Sequence, residues 1–317
     1  MAFGDLSRIN TNIQAMDAQL SLNRINDQLA NNELQMSTGK RINKAEDDSA
    51  GYSIAAKLRS RVAGLNQSMQ NVGDAKSVLS IAESSYNSVM DNLVQMKSLS
   101  TQAANDTLGP EERGYIGDQI KALGDDINKI ADQTVYQDYQ LLNGNVNAGG
   151  TVQNTGKLSM TFQVGDRSKD TITANISAVN VGQLFNGGTA TANLGATGSS
   201  ANITASAAGA GSQGALTFSS TATAADFRNF IGKVDNAISD MAANVNSIGI
   251  TQSSLTVREN TLSQSISSDQ SAKSRIMDTD FAKAKSEQVR LQILQQTATS
   301  ALAQANKGPQ SVLSFLR

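Results

Sequence analysis

Between residues 227 and 276 the chain repeats side chains at alternating steps of three and four. Phe227, Ile231, Val234, Ile238, Met241, Val245 and Ile248 open the run. Gln252, Leu255, Glu259, Leu262, Ile266, Asp269, Lys273 and Ile276 continue it. Such steps put one stripe along one helix face, and their persistence over about seven heptads is a coiled-coil signature. The helix would be roughly 75 Å long, and it cannot hide its own seam. Polar seam positions become frequent after Ile248, so the far end is expected to pack less tightly.

A second stripe lies in the N-terminal half: Val62, Leu65, Met69, Val72, Lys76, Leu79, Glu83, Tyr86, Met90 and Leu93. Two of its steps, Lys76 and Glu83, are polar. Gly109-Pro110-Glu111-Glu112 then breaks and restarts a helix, with proline in the first turn and carboxylates behind it. Ile116, Ile120, Leu123, Ile127 and Ile130 carry the stripe on.

The two ends are thinner. A first helix is expected from about residue 5 to 36, with Ile13, Met16 and Leu20 on one stripe and Leu22, Ile25 and Leu29 on an adjacent one. A charged connector, residues 39–48, follows it and places acids where the next helix N-terminus favours them. A last helix is expected over 281–306, with Leu291, Leu294, Ala298, Ala301 and Ala305 at the same spacing, stopped by Gly308-Pro309. Stripes so weak are expected to order on association with other chains; a mutual hairpin within one chain is the alternative.

The middle differs. Residues 144–225 hold 13 of the 25 glycines, and 171–225 hold no charged residue. Alternation over 158–164 and 171–176, with Gly165-Asp166 near the turn, predicts a β-hairpin. Residues 186–215 are low in complexity and predict weak strands or loops.

The expected fold is therefore mainly α: a long antiparallel coiled-coil bundle pairing the N- and C-terminal halves, with a small β-rich central hairpin and outer appendage. The expected division is 1–44 with 277–317, 45–180 with 223–276, and a small surface-exposed region, 181–222.

Composition narrows the chemistry. The chain has no Cys, His or Trp, which excludes thiolate sites, the Ser-His-Asp triad and histidine-based metal motifs. The pairs Asp47/Asp48 and Asp278/Asp280 read as helix caps and ion-pair partners, so no enzyme and no cofactor is expected. With 26 Lys+Arg against 28 Asp+Glu, no basic field attracts nucleic acid. No apolar run is long enough for a membrane span, and no apolar h-region follows Met1, so if the chain leaves the cell it is expected to do so by a route that removes no Sec-type peptide.

Several runs carry a resemblance. Ser7-Arg8-Ile9-Asn10-Thr11-Asn12, Ser37-Thr38-Gly39-Lys40-Arg41-Ile42-Asn43 and Asp47-Asp48-Ser49-Ala50-Gly51 resemble the N-terminus of bacterial flagellin. Ser274 to Phe281, Gln292-Ile293-Leu294-Gln295-Gln296, Ala303-Gln304-Ala305-Asn306 and Pro309 to Arg317 resemble its C-terminus. About 230 residues (1–145 and 226–317) share the likeness.

The resemblance implies a secreted structural subunit that self-assembles into the flagellar filament after type III export. Its inner-tube assembly residues would be Ile13, Met16, Leu20, Ile25, Leu29, Leu291, Leu294, Ala298, Ala301, Ala305, Val312, Leu313 and Leu316. Intersubunit contacts would fall on the connector residues Lys40, Arg41, Asn43, Asp47 and Asp48. Many flagellins carry Arg at the position of Gln95 and Glu at that of Gln119, beside Leu99, on a surface resembling one read by a vertebrate innate receptor. Two glutamines remove the charge-assisted bonds there, so recognition is expected to be weakened. Gln252-Ser253-Ser254-Leu255 also lacks an Arg that is usual near there in the family. Ser199, Ser200, Thr204 and Ser206 are candidate O-glycan acceptors. The implied partners are further copies of the chain, an export chaperone at the C-terminal helix, the filament cap and the hook-associated proteins. The rival readings are a hook–filament junction protein of the same superfamily and a secreted coiled-coil adhesin.

Overall fold

The computed structural model describes residues 11–137, 139–143, 156–186, 192–195, 202–206 and 214–315, the last eight as backbone only. In chain order they form α1 (Ile13–Thr38), α2 (Ser49–Ala103), α3 (Pro110–Gln133), β1 (Val135–Tyr136), β2 (Tyr139–Gln140), β3 (Lys157–Gln163) and β4 (Thr171–Ser177). α4 (Val181–Asn186), β5 (Ala192–Asn193), β6 (Ile203–Ala205), β7 (Leu216–Phe218), α5 (Ala224–Met277) and α6 (Phe281–Phe315) follow. They divide into two compact units, residues 1–63 with 266–317 and residues 64–265.

In the 64–265 unit the heptad seams split into two rows. Leu65, Val72, Leu79, Tyr86 and Leu93 on α2, and Phe227, Val234, Met241, Ile248, Leu255 and Leu262 on α5, are all buried. Each set advances by seven. The intervening seam residues, Met69, Lys76, Glu83 and Met90 on α2 and Ile231, Ile238, Val245, Gln252 and Glu259 on α5, are half-buried. Every polar seam residue of this unit falls on the half-buried row, where charge costs little desolvation. There the polar residues meet: Lys76 Nζ lies 2.9 Å from Glu259 Oε2, and Gln252 Nε2 donates to Glu83 Oε2 at 2.9 Å. Lys97 pairs with Asp235 at 2.7 Å. As α2 numbers rise the α5 partners fall, so the helices run antiparallel. The polar layers sit one heptad apart on both helices and give the pairing its register.

The hairpin expected from alternation is present. β3 and β4 pair antiparallel from Lys157↔Ser177 to Gln163↔Thr171, and the hairpin is fixed to α2. Asn71 Nδ2 donates to the Gln163 carbonyl at 3.1 Å, and the buried Tyr86 hydroxyl donates to the Ser177 carbonyl at 2.6 Å. Desolvation pushes the Tyr86 phenol far above its ordinary range, so it stays a donor.

The region expected as a surface-exposed appendage, 181–222, is corrected in its described residues. Val181, Phe185, Leu194, Ile203, Ala205 and Leu216 are buried. β5, β6 and β7 form a three-stranded sheet, and α3 receives β7 because two of its residues have no side chain. A Cβ on Gly117 would lie 3.0 Å from Phe218 Cβ, and one on Gly124 would lie 3.1 Å from Leu216 Cδ1. Phe218 stacks on Phe227 and meets Phe230 edge-on, and Phe185 stacks on Phe230. Uncharged strands can be buried without an ionic desolvation cost, which is why a charge-free stretch is core here. A capping box closes α5: Asp226 Oδ2 accepts from Thr223 N and Oγ1 at 2.8 Å each, and Asp226 N donates to Thr223 Oγ1 at 3.3 Å. Asn202 Nδ2 donates to the same carboxylate at 3.0 Å.

Two further expectations change. The first helix begins at Ile13, because Asn12 caps it; residues 5–10 lie outside the described residues. α2 starts at Ser49, directly after the acidic connector, as the placement of its acids predicts. α6 runs through Gly308-Pro309 to Phe315; a proline removes one ladder donor, and helical backbone on both sides carries the turn across it.

Tyr86→Phe removes the donor and leaves the Ser177 carbonyl unpaired beside a buried ring. It is expected to lower stability by about 1 to 2 kcal/mol, read as a lower urea midpoint at unchanged slope.

Candidate assembly interface

Within the unit of residues 1–63 and 266–317, α1 and α6 lie against each other along one narrow seam. The alternative weighed for the chain ends, a mutual pair within one chain, is the arrangement found. Ala15, Ala18, Leu22, Ile25, Leu29 and Asn32 face inward on α1; Ala284, Gln288, Leu291, Gln295, Ala298, Leu302 and Ala305 do so on α6. Both sets step by three and four. Asn12 Nδ2 donates to the Ala305 carbonyl at 2.9 Å and Gln295 Nε2 to Asn26 Oδ1 at 2.7 Å, so the helices are antiparallel. Asn12 Oδ1 also accepts from Ala15 N at 3.0 Å, capping α1. Alanine brings the backbones close, and Leu291 is the large side chain fully enclosed between them.

The predicted assembly residues divide on this geometry. Ile25, Leu29, Leu291, Ala298 and Ala305 belong to the inward seam. Ile13, Met16 and Leu20 point away from it and are 55 %, 64 % and 50 % exposed; Leu294 and Ala301 are exposed too. Phe281, Val289 and Ile293 are also exposed on α6. Val312 and Leu313 lie in the helical backbone of α6, their side chains outside the described residues, as is Leu316. The seam residues not singled out from sequence, Ala15, Ala18, Asn32, Ala284 and Leu302, carry the same spacing. Alanine and asparagine make a weak hydrophobic signal.

The connector is held by its backbone. Lys40 and Asp278 form a β-bridge. Arg41 N donates to the Met277 carbonyl at 2.6 Å, and Thr279 N to the Gly39 carbonyl at 3.0 Å. Gly39 takes φ +68°, the left-handed cap that ends α1 without strain. Arg41 Nη2 reaches the Ile276 carbonyl at 2.7 Å, a cation at a helix C-terminus, where the dipole favours it. Ile42 is buried beneath this turn.

Asn43 Nδ2 donates to the Lys40 carbonyl at 2.9 Å. Asp47 Oδ2 accepts from Asn43 N and Lys44 N at 2.8 Å each. The Lys44 N–H, then that of Asn43, hold its carboxyl below the usual carboxylate range. Asp48 Oδ1 accepts from Gly51 N at 2.9 Å and caps α2, and Asp280 Oδ1 accepts from Ala282 N at 3.0 Å and caps α6. The five predicted connector residues thus share one turn, and Arg41, Asn43, Asp47 and Asp48 spend their polar groups inside the chain.

The remaining predicted residues lie in the other unit. Gln95 is exposed on α2, with Leu99 one turn further and half-buried, and Gln119 is exposed on α3. Thr204 Oγ1 pairs with Thr217 Oγ1 at 2.6 Å and Ser206 Oγ accepts from Ala215 N at 2.7 Å; Ser199 and Ser200 lie outside the described residues. Among the described residues no helix is long and apolar enough to cross a membrane, and no group of three or more carboxylates is placed to hold a metal ion.

Comparison with known proteins places these helices in context. Residues 9–147 match the bacterial flagellin N-terminal helical region and residues 231–316 the bacterial flagellin C-terminal helical region. The flagellar filament 33 kDa core protein of Treponema phagedenis is 32% identical over 98% of this chain and 99% of its own. Flagellin FlaB2 of Treponema pallidum is 31% identical over 98% and 99%. Flagellin of Bacillus subtilis is 32% identical over 98% of this chain and 100% of its own.

The Asp47 turn has a pH signature. Its carboxyl is depressed in the fold, so its support is present above the ordinary carboxylate value and is lost as pH falls through the depressed one. Amide-exchange protection of Asn43 and Lys44 is expected to persist at pH 4 and fall below it. Asp47→Ala is expected to remove that protection at neutral pH too.

Proposed function

The chain belongs to the bacterial flagellin family, and we propose that its paired terminal helices drive assembly through the apolar stripe that their own seam leaves uncovered. It is a structural subunit of the flagellar filament. The observation that carries the assembly reading is the exposure of Ile13, Met16 and Leu20 on a helix whose other stripe is already closed against α6. A contiguous exposed apolar stripe marks an association surface. In the filament this stripe, with Ile293, Leu294 and Ala301, meets neighbouring subunits and builds the inner tube from residues 1–44 and 277–317. The connector residues Lys40, Arg41, Asn43, Asp47 and Asp48 lie at the contact between subunits, with Val312, Leu313 and Leu316 in the tube beyond.

Other partners follow from the same surfaces. Before assembly an export chaperone covers α6, where Phe281, Val289 and Ile293 are exposed. The subunit leaves the cell by type III export, and the cap and hook-associated proteins meet the polymer at its ends. The role is mechanical, in swimming, with no catalytic step. Recognition by a host innate receptor is weak, because exposed Gln95 and Gln119 supply no charge-assisted bond beside Leu99. Glycan acceptance at Ser199 and Ser200 rests on composition, and the engaged hydroxyls of Thr204 and Ser206 make those two poorer acceptors.

Seeded growth tests the assembly reading. Met16→Ser with Leu20→Ser is expected to stop elongation while changing monomer stability by less than about 0.5 kcal/mol. Leu291→Ala is expected to destabilise the α1–α6 pair by about 2 to 4 kcal/mol. Long filaments of wild-type length from the double-serine chain, or from chains lacking residues 1–36 or 281–317, would refute the reading. For the receptor surface, Gln95→Arg with Gln119→Glu is expected to raise signalling in receptor-reporter cells over the unmodified chain.

A further inference from the structure

Beside the connector bridge the structure holds a cavity of about 110 Å³ lined by Lys40, Tyr52, Arg59, Lys273, Met277 and Asp278, with two alanines. It lies wholly within the unit of residues 1–63 and 266–317. Three cations face one carboxylate. Among the described residues none of the three cations has an ion-pair partner within 4.0 Å. The Asp278 backbone is committed, its N–H to the Ser274 carbonyl at 2.8 Å and its strand bridge to Lys40. Met277 and the alanines are half-buried or buried and give the cavity an apolar wall, and Tyr52 adds a phenol at its edge. The arrangement suits an anion: three cations against one carboxylate and a hydroxyl donor, beside a partly apolar wall and open to solvent.

The source of the anion follows from how charge is divided along the chain. Residues 1–63 with 266–317 carry 15 Lys+Arg and 11 Asp+Glu, a net +4; residues 64–265 carry 11 and 17, a net −6. A polymer that grows without closing joins two different patches of the same molecule, head to tail. Opposite charges on separate units of one chain meet that requirement, and unlike patches also steer the correct encounter.

We propose that this cavity docks carboxylate side chains of a second copy of the chain, presented by its acidic 64–265 unit. The inference rests on the filament reading and adds to it a named basic acceptor and the chemistry of its occupant. The contact is ionic and screened by salt.

Two experiments test it. In the first, full-length wild type and Arg59→Gln/Lys273→Gln are grown from seeds at 50 mM and 500 mM NaCl. The double variant is expected to raise the critical concentration about fivefold at low salt and to match wild type at high salt, with unchanged monomer melting. Equal critical concentrations at both salts would overturn the proposal, as would a monomer that melts earlier in step with the loss of growth.

The second experiment does not depend on those variants. The chain has no cysteine, so Ser60→Cys, on the exposed surface beside Arg59, carries a single short photo-crosslinker. Cross-links in filaments are expected on peptides from residues 64–265 of another copy. Cross-links confined to residues 1–63 or 266–317, or none, would overturn the proposal. Failure of the wild-type chain to elongate from seeds would instead count against the filament reading itself.

Discussion

Two helices of more than fifty residues cannot each bury their own stripe, so each must bury it against the other. That constraint organises the 64–265 unit. It produces an antiparallel pair whose buried row is almost wholly large and apolar and whose half-buried row takes every polar seam residue. The Lys76–Glu259 and Glu83–Gln252 layers, one heptad apart on both helices, close only in one alignment. They contribute little to stability at their exposure, but a slip of either helix would leave them unmatched and move large side chains out of the core.

The terminal pair obeys a different balance. α1 and α6 meet through alanines and a few larger residues, so the seam is narrow and the area buried per turn is small. A wider apolar stripe would have closed the pair completely and left nothing for a neighbour. Ile13, Met16 and Leu20 instead stay at the surface of a helix that is already capped and paired. A polymer subunit has to fold enough to present an interface without satisfying it. Asn32 is buried in the same seam, and among the described residues its Oδ1 has no hydrogen-bond partner, so it weakens the cohesion of the pair.

The connectors matter because they turn two helix ends into one rigid element. Backbone bonds between residues 39–41 and 277–279 fix it, while Asp48 and Asp280 cap the helices that leave it. Paired carboxylates in a chain without histidine serve there as local backbone acceptors. Arg41 serves the α5 carbonyls, whereas Lys40, Arg59 and Lys273 keep their charge available at the cavity.

Periodicity was enough to read the long helices, the α3 restart at Pro110 and the β3–β4 hairpin, and two long stripes flanking a β-rich middle made the antiparallel pairing of the two halves the economical way to bury both. The acidic caps were legible as well, since a carboxylate before a helix has a local job. Other features depended on contacts between residues far apart in the chain. The short strands β5, β6 and β7 carry too few residues for alternation to show; β7 seats on α3 because Gly117 and Gly124 leave room for Phe218 and Leu216, and β6 and β5 pair onto it in turn. The charge-free middle read as a solvated appendage, yet its Ile203, Leu216 and Phe185 are core, because absence of charge permits burial as readily as it permits a loop. Two stripes were visible on α1, but nothing local distinguishes the one that faces α6 from the one that faces outward. Only the packing of α6 against α1 decides which stripe is closed and which stays exposed.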